Sequence, residues 1–296
     1  MGARRLSEAV CIDGELVSSE DARVSVFDSG FTQGIGLFET MRSYDGVVFR
    51  MERHLDRLRE SAQILGWAVL PTIGQMWVAA TKVVSALPGA ETARVRLTVT
   101  TGSLREVAGD EPKLTVVATA AVGGDYPAEF YVKGVSVAIS KYRQSRRDPT
   151  AGHKTTSYFA RLAALREAHA AGAIEALWFT DDNMLAEGSI SSVFIVQGER
   201  LLTPPLETPI LPGITRAAVI DLALASDIPI SEQELTIDDL LSAHEVFLTN
   251  SMMEIMPVVL IDRDKVGSGK PGEVADKLLR AYRKLVREEC DDAAEE

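Results

Sequence analysis

His153-Lys154-Thr155-Thr156-Ser157-Tyr158 is the stretch from which the chain is best read. Before it, residues 145–152 are polar and basic and read as a loop. After it, residues 157–171 are rich in alanine and read as a helix that stops at Gly172. A lysine at a loop end is usually just solvated. This one has company, because Tyr158 follows four residues later, one helical turn on, where its hydroxyl reaches the amine. A lysine that must lose its proton near neutral pH needs desolvation or a cationic neighbour.

Working outward, residues 10–17 read as a hairpin turned by Asp13-Gly14. Residues 23–27 read as a short strand punctuated by Asp28-Ser29-Gly30, and residues 37–44 and 47–50 as strands joined by Asp45-Gly46. Met51, Leu55, Leu58, Ala62 and Leu65 fall at helical spacing, with Gly66 as the C-cap. Residues 72–87 predict a second helix, closed by Pro88-Gly89, and residues 93–100 and 113–121 two strands. Residues 122–127, with Gly123-Gly124, are the best linker candidate, which gives a first domain 1–122, a linker 123–130 and a second domain 131–296. The second half repeats the mixture: strands at 135–139, 175–180, 184–186, 192–196, 201–203, 245–249 and 255–261, helices at 215–226, 237–243 and 271–286, and a charged end, 287–296, expected to fray. Hairpins and helices mix in both halves, so the expected class is α+β rather than a doubly wound parallel sheet.

The 296 residues suit two domains. With 43 acidic against 31 basic residues, the net charge of -12 argues against nucleic acid or an anionic membrane as a partner. Cys11 and Cys290 stand at opposite ends, with no spacing for a metal site or a disulfide framework, and are expected to be reduced thiols of a cytoplasmic protein. Arg4 and Arg5 lead into acidic residues rather than an apolar run, so no signal peptide is expected, and the longest apolar stretches are strand-sized.

Four further segments carry candidate chemistry. Glu187 stands in Leu185-Ala186-Glu187-Gly188-Ser189-Ile190-Ser191-Ser192-Val193-Phe194; it reads either as an exposed turn residue or as a carboxylate for a pyridinium nitrogen. Leu211-Pro212-Gly213-Ile214-Thr215-Arg216 opens a helix, and such an N-terminus seats phosphate well, although many helices begin this way. Arg57, in His54-Leu55-Asp56-Arg57-Leu58, is either one charge on a solvated face or a fork for phosphate. Leu248-Thr249-Asn250-Ser251-Met252-Met253-Glu254 places polar residues between two apolar strands.

In order and spacing these segments, with Gly30-Phe31-Thr32-Gln33-Gly34-Ile35-Gly36-Leu37-Phe38-Glu39-Thr40, resemble the class IV aminotransferases, which include branched-chain aminotransferases, D-amino acid aminotransferases and aminodeoxychorismate lyases. The resemblance spans nearly the whole chain and implies a two-domain fold type IV enzyme, D-amino acid aminotransferase-like, that uses pyridoxal 5'-phosphate. It makes Lys154 the Schiff-base lysine and general acid/base, Tyr158 the partner of the cofactor's phenolic oxygen and Glu187 the partner of its ring nitrogen. It gives the phosphate to Arg57, to the backbone at Ile214 and Thr215, and to the Asn250-Ser251 loop. Phe31, Phe38, Arg96 and Arg105 become candidate substrate contacts. The implied reaction is ping-pong transfer of an amino group between an amino acid, branched-chain or related, and a 2-oxo acid, by a homodimer. The alternative within the group is a 4-amino-4-deoxychorismate lyase releasing pyruvate and 4-aminobenzoate. The chain departs from D-amino acid aminotransferases in lacking a His two residues after Arg105, and from branched-chain enzymes in having Asn250-Ser251 where they usually have Gly-Thr.

Overall fold

The computed structural model describes residues 7–103 and 113–295. The chain forms two compact units: Met1–Asp125 with His153–Ser157 and Glu288–Glu296, and Tyr126–Gly152 with Tyr158–Arg287.

The first unit contains β1 (Glu8–Ile12), β2 (Glu15–Val17), α1 (Ser29–Gln33), β3 (Gly36–Tyr44), β4 (Val47–Val48), α2 (Met51–Ile64), α3 (Ile73–Ser85), β5 (Thr92–Thr100) and β6 (Thr115–Val122). Its strands form one antiparallel six-stranded sheet in the order β2-β1-β6-β5-β3-β4. The pleat sorts β5 cleanly, since Ala93, Val95, Leu97 and Val99 are buried while Arg96 and Thr98 take the other face. Leu55, Leu58 and Ala62 of α2 and Met76, Ala79, Ala80 and Val83 of α3 complete that core. Thr72 and Gln75 close α3 with a capping box.

Residues 23–27 do not form the expected strand. Ser25 takes the amides of Phe27 and Asp28 on its hydroxyl and carbonyl, which turns the chain and leaves Val24, Val26 and Phe27 exposed. Asp28 then caps α1, and its buried carboxylate also accepts from Thr100 and Thr115, pinning the helix to the ends of β5 and β6.

The second unit holds α4 (Ala128–Lys133), β7 (Val135–Gln144), α5 (Phe159–Ala170), β8 (Glu175–Thr180), β9 (Leu185–Gly188), β10 (Ser192–Gln197), β11 (Arg200–Thr203), α6 (Ile214–Ala225), β12 (Ile230–Glu232), α7 (Ile237–Leu241), β13 (Glu245–Asn250), β14 (Glu254–Ile261) and β15 (Asp264–Lys265). Nine strands make a mixed sheet, β12-β11-β10-β13-β14-β7-β8-β9, with β15 on β14. The β14–β7, β7–β8 and β11–β12 pairs are parallel and the rest antiparallel. Strands β8, β9 and β10 are buried along almost their whole length, as expected for strands covered on both faces. The last helix, α8 (Glu273–Glu295), continues past residue 287 rather than fraying there, with Leu278, Tyr282, Val286 and Cys290 buried at helical spacing. Helices α1 and α4 and strand β12 were not legible in the sequence; the first two are under two turns long and β12 has three residues. Among the described residues no helix is long and apolar enough to cross a membrane.

Leu97 is fully buried at the centre of the first sheet. Leu97→Ala is expected to cost about 2–5 kcal/mol, read as a lower urea midpoint; an unchanged midpoint would mean that this sheet face does not carry the core.

Candidate active site

In the first unit, β3 presents Leu37 and Met41 to the helix-covered core, and Glu39 shares that register, opposite Leu97. A carboxylate 1% exposed must be paired. Helix α2 supplies the partners from one stripe. Arg57 donates from Nε to Glu39 Oε1 at 2.8 Å and from Nη2 to Oε2 at 2.5 Å, and His54 Nδ1 lies 2.8 Å from Oε2. Burial pushes the Glu39 carboxyl up, but the Arg57 guanidinium and the His54 hydrogen bond outweigh it and hold the group at about 2. Burial pushes His54 below its ordinary value despite Glu39, so the neutral ring is the form that gives its Nδ1 proton to the carboxylate. One turn further on, Ser61 Oγ lies 2.9 Å from His153 Nδ1.

His153 begins a short strap, residues 153–157, laid along the start of β3. Phe38 N donates to Lys154 O and Thr156 N to Gly36 O, each at 2.8 Å, and Thr156 Oγ1 donates to Gly34 O at 2.7 Å. Gly36 makes the approach possible, since a Cβ there would sit 2.9 Å from the Thr156 side chain. The strap sets Lys154 Nζ 4.6 Å from the centroid of the Phe38 ring, and Arg96 Cζ lies 3.8 Å from the same centroid. Lys154, Phe38 and Arg96 are thus brought together. Phe31, on α1, is 70% exposed; Arg105 lies outside the described residues.

In the second unit, Glu187 on β9 is buried rather than exposed on a turn. Its Oε1 accepts from Arg161 Nη2 at 2.6 Å and its Oε2 from Leu211 N at 3.0 Å. The turn after it is fastened from several sides. Tyr158 Oη donates to Ser189 O at 2.7 Å and Trp178 Nε1 to Ser189 Oγ at 2.9 Å. Glu175, fully buried, accepts from the amides of Ser189 and Ile190 and from Ser191 Oγ; burial raises its pKa although these donors oppose the rise.

Helix α6 starts at Ile214 and Thr215 with Gly213 as N-cap and no side-chain cap. The first amides are therefore offered without a competing side chain. A Cβ at Gly213 would lie 2.8 Å from Ser192 Oγ, so the glycine keeps the backbone of the turn approachable. Thr249 Oγ1, cross-strand from Ser192, is buried without a hydrogen-bond partner among the described residues. Asn250 spends its amide on the loop: Nδ2 donates to Ile190 O, and Oδ1 accepts from Met252 N and Met253 N. Ser251 sits half-buried in that loop.

Glu39, His54, Arg161, Glu175 and Ser192 were given no role from the sequence. An acid in the apolar register of a strand, followed by His and Arg three apart on the next helix, was the signal for the first two.

Residues 36–261 match the family described as amino-transferase class IV. The chain is 31% identical over 295 residues to the branched-chain-amino-acid aminotransferase of Salmonella typhimurium, covering 97% of this chain and 95% of that one. It is similar to the solved branched-chain amino acid aminotransferase of Escherichia coli, with a TM-score of 0.87 and 30% identity over 95% of each chain. The branched-chain amino acid aminotransferase of T.th., solved with pyridoxamine 5'-phosphate, gives a TM-score of 0.87 at 28% identity, covering 96% of this chain and 95% of that one.

The depressed Glu39 carboxyl makes a testable claim about pH. Its stabilisation is fully present above the ordinary glutamate value of 4.5 and is lost as pH falls toward about 2. Glu39→Gln is expected to lower stability by roughly 3 kcal/mol at pH 7, with the gap to wild type closing as the melts are taken down to pH 3. A gap independent of pH would contradict the ion-pair account.

Proposed function

The chain belongs to the class IV aminotransferases, and we propose that it is a pyridoxal 5'-phosphate enzyme moving an amino group from a branched-chain amino acid to a 2-oxo acid. The observation that carries the reading is Lys154, fixed by the strap over Phe38 beside Arg96. The branched-chain substrate follows the relatives' names, and the cofactor follows the form solved in the T.th. enzyme.

The residues present fit such a cofactor. Lys154 is its covalent anchor. Glu187, held at both oxygens, accepts from the ring nitrogen through its remaining lone pairs. Tyr158 serves the phenolic oxygen by turning its O–H away from Ser189 O. For the phosphate, the family resemblance assigns the backbone at Ile214 and Thr215 and the Asn250-Ser251 loop of the second unit, and Arg57 of the first; the uncapped start of α6 and the bare Gly213 support that assignment. When bound, the group draws off the electron pair left at the substrate's α-carbon as its proton departs. Lys154 Nζ takes that proton and returns it, as general base and then general acid. Glu39 and His54 keep the Arg57 fork in place. Arg96 orients a substrate carboxylate, and Phe38 gives an apolar wall to the side chain.

Lys154→Ala is expected to lower turnover at least about 10³-fold and to abolish the visible band of the covalently held cofactor. With wild type, a panel of leucine, isoleucine and valine, each enantiomer with 2-oxoglutarate, is expected to give acceptor-dependent transfer. Pyruvate release from 4-amino-4-deoxychorismate without an acceptor, and no transfer with the panel, would move the assignment to the lyase; an intact band and turnover in Lys154→Ala would remove its basis.

A further inference from the structure

Arg161 is the third residue of α5, three positions after Tyr158, and its guanidinium is heavily engaged in the buried region of the second unit. Its Nη1 donates to Gly188 O at 2.9 Å, and its Nη2 donates both to Gln144 Oε1 at 2.8 Å and to Glu187 Oε1 at 2.6 Å. The guanidinium lies 5.1 Å from the centroid of the Trp178 ring. Gln144 is anchored in turn, because its Nε2 donates to Pro209 O. On the other side of Glu187, Leu211 N holds Oε2, so neither carboxylate oxygen is left to turn. The neighbouring residue must be glycine for this packing: a Cβ at Gly188 would meet Ser191 Oγ at 2.2 Å and Glu175 Oε2 at 2.8 Å.

A glutamate side chain has three rotors, and a carboxylate must lie near the plane of the ring whose nitrogen it serves. The planar fork of an arginine, stacked on an indole and tied to two carbonyl oxygens, removes that freedom before any ligand arrives. It also compensates a charge that burial would otherwise leave alone. We propose that Arg161 is a positioning residue for the transamination, fixing the Glu187 carboxylate in place and sharing its negative charge. This rests on the reading that Glu187 serves the cofactor's ring nitrogen. Arg161 itself touches neither substrate nor reacting atoms in this role.

The consequence is a division of effects. Partners that orient a ligating group typically change affinity or activity by about 10–100-fold when lost. Arg161→Met keeps an unbranched apolar stem but removes the guanidinium, with its charge and its fork. It is expected to weaken the affinity of the apoprotein for pyridoxal 5'-phosphate about tenfold or more, read by fluorescence titration. In the holoenzyme it is expected to lower kcat about 10–100-fold, with KM for the amino donor changed less than about threefold. Arg161→Lys keeps a charge but cannot reach Gly188, Gln144 and Glu187 together. It is expected to melt near wild type and to show the same losses at smaller size, which separates positioning from a fold defect. Wild-type cofactor affinity and kcat in both Arg161→Lys and Arg161→Met overturn the proposal. So does a loss that appears only as a lower melting temperature. Glu187→Gln tests the underlying reading: if it leaves cofactor affinity and kcat unchanged, the role of Glu187 fails; if it cripples both while the Arg161 variants do not, only the role of Arg161 fails.

Discussion

Two backbone hydrogen bonds, Phe38 N to Lys154 O and Thr156 N to Gly36 O, hold the strap to β3, and the placement of Lys154 depends on them. They add a strand fragment, far along the chain, to a sheet whose strands lie between Glu8 and Val122. These bonds pair backbone groups of the strap with those of β3, and so fix the path of the chain on either side of the flexible four-carbon stem that carries the amine. The glycines at 34 and 36 follow from the same constraint. Gly34 takes a φ of 70° to end α1, and Gly36 leaves room for Thr156.

Behind the strap, α2 divides its inward surface between two tasks. Leu55, Leu58 and Ala62 fill the core, while His54, Arg57 and Ser61 form a polar stripe beside it. That stripe grips Glu39 and His153, so the strand and the strap are both referenced to one helix. The second unit solves the same problem with a different layout. Glu187 and Glu175 are both buried acids, but one is met by a guanidinium and one backbone amide, and the other mainly by amides and a hydroxyl. In each case a costly buried carboxylate is offset by donors whose own positions are fixed, which trades some stability for a defined geometry.

Much of this was legible in the sequence. The helical spacing of Met51 to Leu65, the alternation of residues 93–100 and the turn pairs Asp13-Gly14 and Asp45-Gly46 each gave their element within a residue or two. Residues 23–27 misled because β-branched and aromatic residues suggest a strand, while the Ser25 hydroxyl and carbonyl accept from Phe27 N and Asp28 N and turn the chain. At the site, the family motif pointed to Lys154, Tyr158 and Glu187, but not to the groups that orient them. Arg161 is silent in sequence because its partners at 144, 187 and 188 come from other stretches of chain. Among the polar residues at 250–254, Asn250 holds its own turn through Oδ1 and reaches Ile190 O through Nδ2, contacts that no local sequence pattern announces.

The central claim is chemical and local: the amine that carries the cofactor is that of Lys154. Borohydride reduction of the protein loaded with pyridoxal 5'-phosphate, followed by peptide mass spectrometry, tests it most directly. The account predicts the pyridoxyl mass on the peptide containing His153-Lys154-Thr155-Thr156. A label on a different lysine, or none at all in a catalytically active preparation, would contradict it.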